Sequence, residues 1–102
     1  VRSLSVVVTD SALREINKQA AYIAKDSPDN AIEWNRRVRV AISRLADHYG
    51  HAVDDVASKK MGFEIRKTVF EGTYLIYYRV DQDDATVRVL HFRHGARRPY
   101  YE

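Results

Sequence analysis

Thr73-Tyr-Leu-Ile-Tyr-Tyr-Arg-Val80 is the stretch that decides the fold. Aromatic and β-branched residues fill it, and such side chains suit a pleated, half-buried strand. Glu71-Gly72 just before it reads as a turn, and Asp81-Gln-Asp-Asp84 just after it as a polar loop. Beyond the turn, Phe63-Glu-Ile-Arg-Lys-Thr-Val-Phe70 alternates loosely. Beyond the loop, Thr86-Val-Arg-Val-Leu-His-Phe-Arg93 reads as another strand. Three strands joined by short connections form an antiparallel meander.

Upstream the period changes. Leu4-Ser-Val-Val-Val-Thr9 reads as a short buried strand. Thr9 or Asp10 then suits a helix N-cap, because a short oxygen-bearing side chain accepts from the free N–H groups of the first turn. Leu13, Ile16, Ala20, Ile23 and Ala24 follow at helical spacing, which predicts an amphipathic helix of about four turns. Ser27-Pro28 stops it and starts a second, with Ser27 as cap and Pro28 at the first position. Trp34, Val38, Ala41, Ile42, Leu45 and Tyr49 form the second stripe, and Gly50 is expected to end it. So short a link predicts an antiparallel helical hairpin. His51 to Met61 is polar, with Val53, Val56 and Ala57 hinting at a helical turn. The expected fold is α+β: an N-terminal strand, an α-helical hairpin, then a three-stranded antiparallel meander completing a four-stranded sheet. One domain over 1–102 is expected, since a second core would leave each half too small.

The hairpin covers only one face of such a sheet. Alternation separates Tyr74, Ile76, Tyr78 and Val80 from Leu75, Tyr77 and Arg79. It likewise separates Leu90 and Phe92 from Val89, His91 and Arg93, and Phe63 and Ile65 from Glu64 and Arg66. The all-apolar sets are expected under the helices. The mixed sets, with Arg66, Tyr77, Arg79, His91 and Arg93, are expected on the other face, as a binding surface or as solvated side chains.

The chain has 102 residues, 17 Lys+Arg, 14 Asp+Glu and no cysteine. Disulfides and cysteine-rich zinc sites are therefore excluded. No apolar run approaches the ~18–20 residues of a membrane span. Val1 to Thr9 does not read as a signal peptide, and a cytoplasmic location is expected. A net charge of +3 is too small to imply nucleic acid, but Arg88 to Arg98 holds four arginines, two histidines and no acid. His48 with His51, or His91 with His94, lacks the carboxylates or cysteines that a metal site needs, and no metal or cofactor is expected.

At this point the chain resembles the RelE/ParE superfamily of bacterial type II toxins. The matching pieces are Tyr22-Ile23-Ala24 with Ser27-Pro28 and Ala31, then Ile65-Arg66-Lys67, then Gly72 to Val80. Val87 to Leu90 leading into His94-Gly95-Ala96-Arg97-Arg98 completes the set. The hairpin linker and the His-Gly-x-Arg ending look more like the ParE branch. The resemblance implies a toxin neutralised by a cognate acidic antitoxin in a hetero-oligomer. For the ParE branch it implies poisoning of DNA gyrase; for the RelE branch, cleavage of mRNA at the ribosome.

A nuclease needs a base, an acid and cations for the phosphorane. By resemblance, Arg66 and Arg97 fall on expected basic positions, with Arg79, His91 and Tyr100 as further candidates. Glu64 and Leu75 stand where the nuclease branch carries basic residues, which favours a binding module over an enzyme. In that reading Arg93, Arg97 and Arg98 engage the target. Leu13, Ile16, Ile23, Trp34 and Val38 on the hairpin, with Tyr77 and Arg79 on the sheet, meet the antitoxin. The alternatives are a ribosome-dependent endoribonuclease and a non-toxic, degenerate family member.

Overall fold

The elements run β1 (Ser5–Val8), α1 (Asp10–Ala24), α2 (Pro28–Ser43), a 3-10 turn (Arg44–Ala46), α3 (Asp55–Met61), β2 (Arg66–Phe70), β3 (Tyr74–Asp81) and β4 (Thr86–His94). They come from a computed structural model that describes residues 3–95. Both long helices start as their sequences require. The Thr9 hydroxyl accepts from Ala12 N–H at 3.3 Å, and the Ser27 hydroxyl accepts from Asn30 N–H at 3.2 Å, with Pro28 at the first position of α2. Gly50 does not end α2. The helix stops at Ser43 and tightens into the 3-10 turn, which buries Leu45.

The sheet order is β1-β4-β3-β2. β1 runs parallel to β4, and the other two pairs are antiparallel. The meander is as expected, and β1 makes the sheet mixed. β1 is not buried: it is an edge, with Val7 42% exposed. The β2–β3 turn places Glu71 and Gly72 both at positive φ, the backbone sense that matches the strand twist of a hairpin.

The main core lies between the hairpin and the sheet. Ala12 and Ile16 of α1 and Trp34, Val38 and Ile42 of α2 meet Ile76, Tyr78, Val87, Val89 and Phe92. The Trp34 ring sits edge-on to Phe70, Tyr74 and Phe92, with centroids 6.3, 5.5 and 5.7 Å away. Tyr78 donates its hydroxyl proton to Tyr49 O and accepts from His51 N–H, tying the post-helical loop to β3.

Strict alternation fails at one place. The β3–β4 register passes from Tyr77↔His91 to Tyr78↔Val89, so Leu90 is an extra residue. That bulge turns Val89 into the main core and Leu90 away from it, the reverse of the expected assignment. Phe63 and Ile65 also face away from the hairpin. They join Ala57, Leu75, Tyr77 and Leu90 in a second, smaller cluster on the opposite face. The cover there is α3, formed from the segment whose sequence was ambiguous. Asp54 caps it, accepting from Ala57 N–H at 3.0 Å, and Gly62 closes it at φ 82.

Candidate functional site

The seam between α1 and α2 is open to solvent. One groove there, of about 620 Å³, is bounded by Ala20, Ala24, Pro28, Ala31 and Ile32. A second, of about 290 Å³, holds Leu13, Ile16, Val38 and Ile42 and reaches Val6 and Val8 of β1. Asn35 and Arg39 line both, so the two form one track from the hairpin tip to the sheet edge. Leu13 is 45% exposed and Ile32 71%. Small residues let a partner approach the helix backbones, and flanking aliphatics give it apolar surface, which is the geometry of a helix-in-groove contact.

The track ends on backbone. Ser5 N–H donates to Ala85 O and Thr9 N–H to Val89 O, both inward to β4. In a parallel ladder the intervening residues turn outward. Val6 and Val8 therefore present their N–H and C=O groups at the edge, with no charge or proline in Ser5–Val8 to protect it.

Sequence reasoning missed Glu15. β1 stops at Val8, so beyond Val89 the β1 side of β4 has no strand along it. Glu15 fills that place from α1. Its carboxylate accepts from Phe92 N–H at 3.3 Å and meets His91 Nδ1 at 2.9 Å and Arg93 Nη1 at 3.0 Å. An acid beside Ile16 on an amphipathic helix is unremarkable in sequence, so only the folded topology exposes this role.

The cations of the sheet are likewise occupied. Arg66 reaches Glu64 at 3.1 Å and donates to His51 O at 2.6 Å. Lys67 pairs with the buried Asp54 at 3.3 Å, and Arg88 pairs with Asp84. Arg79 stacks over the Phe63 ring at 4.4 Å. Burial pushes the Asp54 carboxyl up, but the N–H groups of Ala57 and Val56 and the Lys67 ammonium outweigh it and hold the carboxyl below its ordinary value. Tyr78 moves the other way, since burial raises its phenol despite the His51 N–H and the Arg66 charge.

The expected site residues therefore separate. Ile16, Trp34, Val38 and Tyr77 are 5%, 4%, 0% and 2% exposed and belong to the core, and Ile16 and Val38 also floor the second groove. Leu13 is on the track, and Ile23 is half-buried against the core. Arg66, Arg79 and His91 do not converge: the first two use different partners, and His91 belongs with Arg93 to Glu15. Arg97, Arg98 and Tyr100 lie outside the described residues. Among the described residues no cluster of three metal-ligating side chains occurs, and no helix is long and apolar enough to cross a membrane.

Comparison with known proteins agrees with this architecture. Residues 6–99 match the family model described as the ParE toxin of the type II toxin-antitoxin system parDE. A solved structure, the chromosomal ParDE system from P. aeruginosa, superposes with a TM-score of 0.71 at 14% identity, covering 90% of this chain and 96% of that one. That likeness is one of fold. Comparison with curated proteins finds no match.

Proposed function

The chain belongs to the ParE toxin family of type II toxin–antitoxin systems, and on that premise we propose that it acts by binding: it inhibits DNA gyrase and is neutralised by an acidic antitoxin. The observation that carries the partner reading is the apolar track along the α1–α2 seam, ending at the unpaired β1 edge. An amphipathic antitoxin helix buries its apolar face on Leu13 and Ile32, and the segment after it adds to Val6 and Val8 as a strand. Arg39, held on the track's rim by the neutral Asn35 side chain at 2.9 Å, favours an acidic partner.

The reading as a binding module and not a nuclease is supported by the sheet cations. Phosphate chemistry uses cations held free for the developing charge. Here Arg66, Lys67, Arg88 and Arg93 each face a carboxylate, and Arg79 lies on a ring. Target engagement is assigned to the basic C-terminal stretch, Arg97 and Arg98, with Arg93 anchoring its root to Glu15.

The test is a supercoiling assay with purified gyrase, run beside primer extension on translated messages. The full chain is expected to inhibit supercoiling, and a chain lacking residues 96–102 to lose inhibition while staying folded. Cuts within codons that disappear in Arg66→Ala overturn the reading in favour of a ribosome-dependent nuclease.

A further inference from the structure

A second groove lies on the other side of α2, against β2. Val40, Ala41, Leu45 and Phe70 form its floor, and Val69 borders it at the strand edge. Arg37, Arg44 and His48 stand on its rim. Val40 is 39% exposed on α2, while Val69, opposite Leu75, turns its 60% exposed side chain to the α3 face and meets the groove with its backbone.

β2 is the second edge of the sheet, and its outer backbone groups are only partly used. Asp54 N–H donates to Ile65 O at 2.8 Å, and Lys67 N–H donates to Ala52 O at 3.1 Å. Outward groups recur every second residue, so the next pair belongs to Val69. Among the described residues no backbone group reaches its N–H or C=O from outside. Residues 52–54 thus begin a neighbouring strand that stops short, and Val69 offers the position where another chain continues it.

The charge selects the occupant. Arg44 has no acidic partner among the described residues, and the groove's own acid, Glu71, is taken by Arg37 at 2.6 Å. A second copy of this chain would bring two basic rims together. A nucleic acid would find only the His48 and His51 imidazoles to stack on, over a floor whose one aromatic ring, Phe70, is buried. An extended acidic segment with alternating apolar side chains fits the edge, floor and rim together.

The groove's place in the fold selects the source. β1 and β2 are opposite edges, and the ion-paired ridge of Glu33, Arg36 and Arg37 stands along α2 between the two grooves. A partner seated on the α1–α2 track and β1 leaves β2 uncovered. Gly95 N–H donates to Thr73 O at 2.8 Å, which brings the described end of the chain to the β2–β3 turn, where Glu71 opens the groove. We propose that the α2–β2 groove receives an acidic, extended segment of the target protein, which adds to β2 at Val69; this rests on the reading that the α1–α2 track belongs to the antitoxin.

The test uses Val69→Pro combined with Arg44→Glu. Proline at an outward-facing edge position removes the free N–H and leaves the β2–β3 ladder intact. Arg44→Glu with His48→Glu, which touches no core residue, is the second variant should the proline disturb folding. Gyrase supercoiling gives the target readout. The protein encoded in the adjacent reading frame is the antitoxin probe, titrated by calorimetry. Loss of one edge hydrogen bond and reversal of one rim charge is expected to weaken target inhibition by about tenfold or more, with antitoxin affinity unchanged. Undiminished inhibition overturns the proposal. So does a fall in antitoxin affinity with inhibition intact, which gives the groove to the antitoxin. Leu13→Asp, on the track, separates the two failures: if it weakens the antitoxin while the groove variants change nothing, only this inference falls. If the unaltered chain neither inhibits gyrase nor binds the probe, both readings fall.

Discussion

On the hairpin side of the sheet, thirteen buried residues form one cluster, and Trp34 alone touches rings from β2, β3 and β4. On the α3 side, three are buried, Ala57, Ile65 and Tyr77, under a helix of seven residues. Both faces are buried at their centres, yet they are held by different means. The large cluster draws on summed apolar area. The small one has too little area for that, and relies on polar fasteners at its margin: the Asp54 cap, the Lys67–Asp54 pair, the Ser58 hydroxyl donating to and accepting from the Ile65 backbone, and Gly62. A core held by area unfolds with the whole molecule, whereas a cover held by a few fasteners opens alone.

The sharpest probe of that difference is a pair of truncations. Trp34→Ala removes the ring that joins α2 to three strands, and a loss of about 3–5 kcal/mol is expected by chemical denaturation. Ile65→Ala, equally buried but in the small cluster, is expected to cost about 2 kcal/mol, at the low end for such a change. Native-state hydrogen exchange gives the second readout: α3 amides in Ile65→Ala should exchange through a local opening while β3 stays protected. Coincident exchange of α3 and β3 would merge the two faces into one cooperative unit and break the comparison.

The two faces also differ in what the sequence disclosed. Helical spacing and strand alternation located both long helices, all four strands and most of the main core, because those signals are repeated and apolar. Alternation then misassigned Val89, Leu90, Phe63 and Ile65. For Val89 and Leu90 the cause is a single extra residue that reverses parity for half a strand, which no residue type announces; Phe63 and Ile65 keep their alternation and face α3, a cover that the sequence left ambiguous. α3 was faint for a different reason. A seven-residue helix has too few positions to show a period, and its stability comes from Asp54 and Gly62 at its ends. Of the candidate site, Leu13 was legible as an apolar residue on a helix, but its exposure was not. Tyr77 was expected on the binding face and is core, while Trp34 is core as its place on the helical stripe suggested. Glu15 and the outward groups of Val6, Val8 and Val69 exist as sites only once strand order is known.

Fasteners are testable singly. Asp54→Ala removes the cap of α3 and leaves Lys67 unpaired, and about 1–2 kcal/mol is expected. Gly62→Ala places a Cβ on a residue at φ 82, where open space surrounds it, so strain alone acts and about 1 kcal/mol is expected. Both losses should appear as faster exchange within Asp55–Met61, with smaller effects on the thermal midpoint. Equal slowing or acceleration across the whole sheet would show that the fasteners serve the main core as well.

The smallest effect is set by pH, and it separates the faces by sign. Asp54 has its pKa held below the ordinary value of 3.8, so the folded chain binds that proton less readily than the unfolded chain does. Its contribution is fully present above pH 3.8 and disappears as acid protonates the folded carboxyl below that point. Tyr78 and Tyr74 have pKa values raised above 10.0, chiefly by burial, so the folded chain keeps those protons longer. Their contribution is fully present below pH 10.0 and is lost as pH rises through the folded values. Acid should therefore loosen the α3 face first, and alkali the hairpin face. Exchange rates across α3 should climb in the acid limb while the near-ultraviolet signal of Trp34 holds, and Asp54→Asn should flatten that limb. Tyr78→Phe should flatten part of the alkaline limb and leave the acid one as it was. A Trp34 signal that fails together with α3 in acid would mean that the Asp54 carboxylate supports the main core through Ile65 and β2, and that the two faces are one.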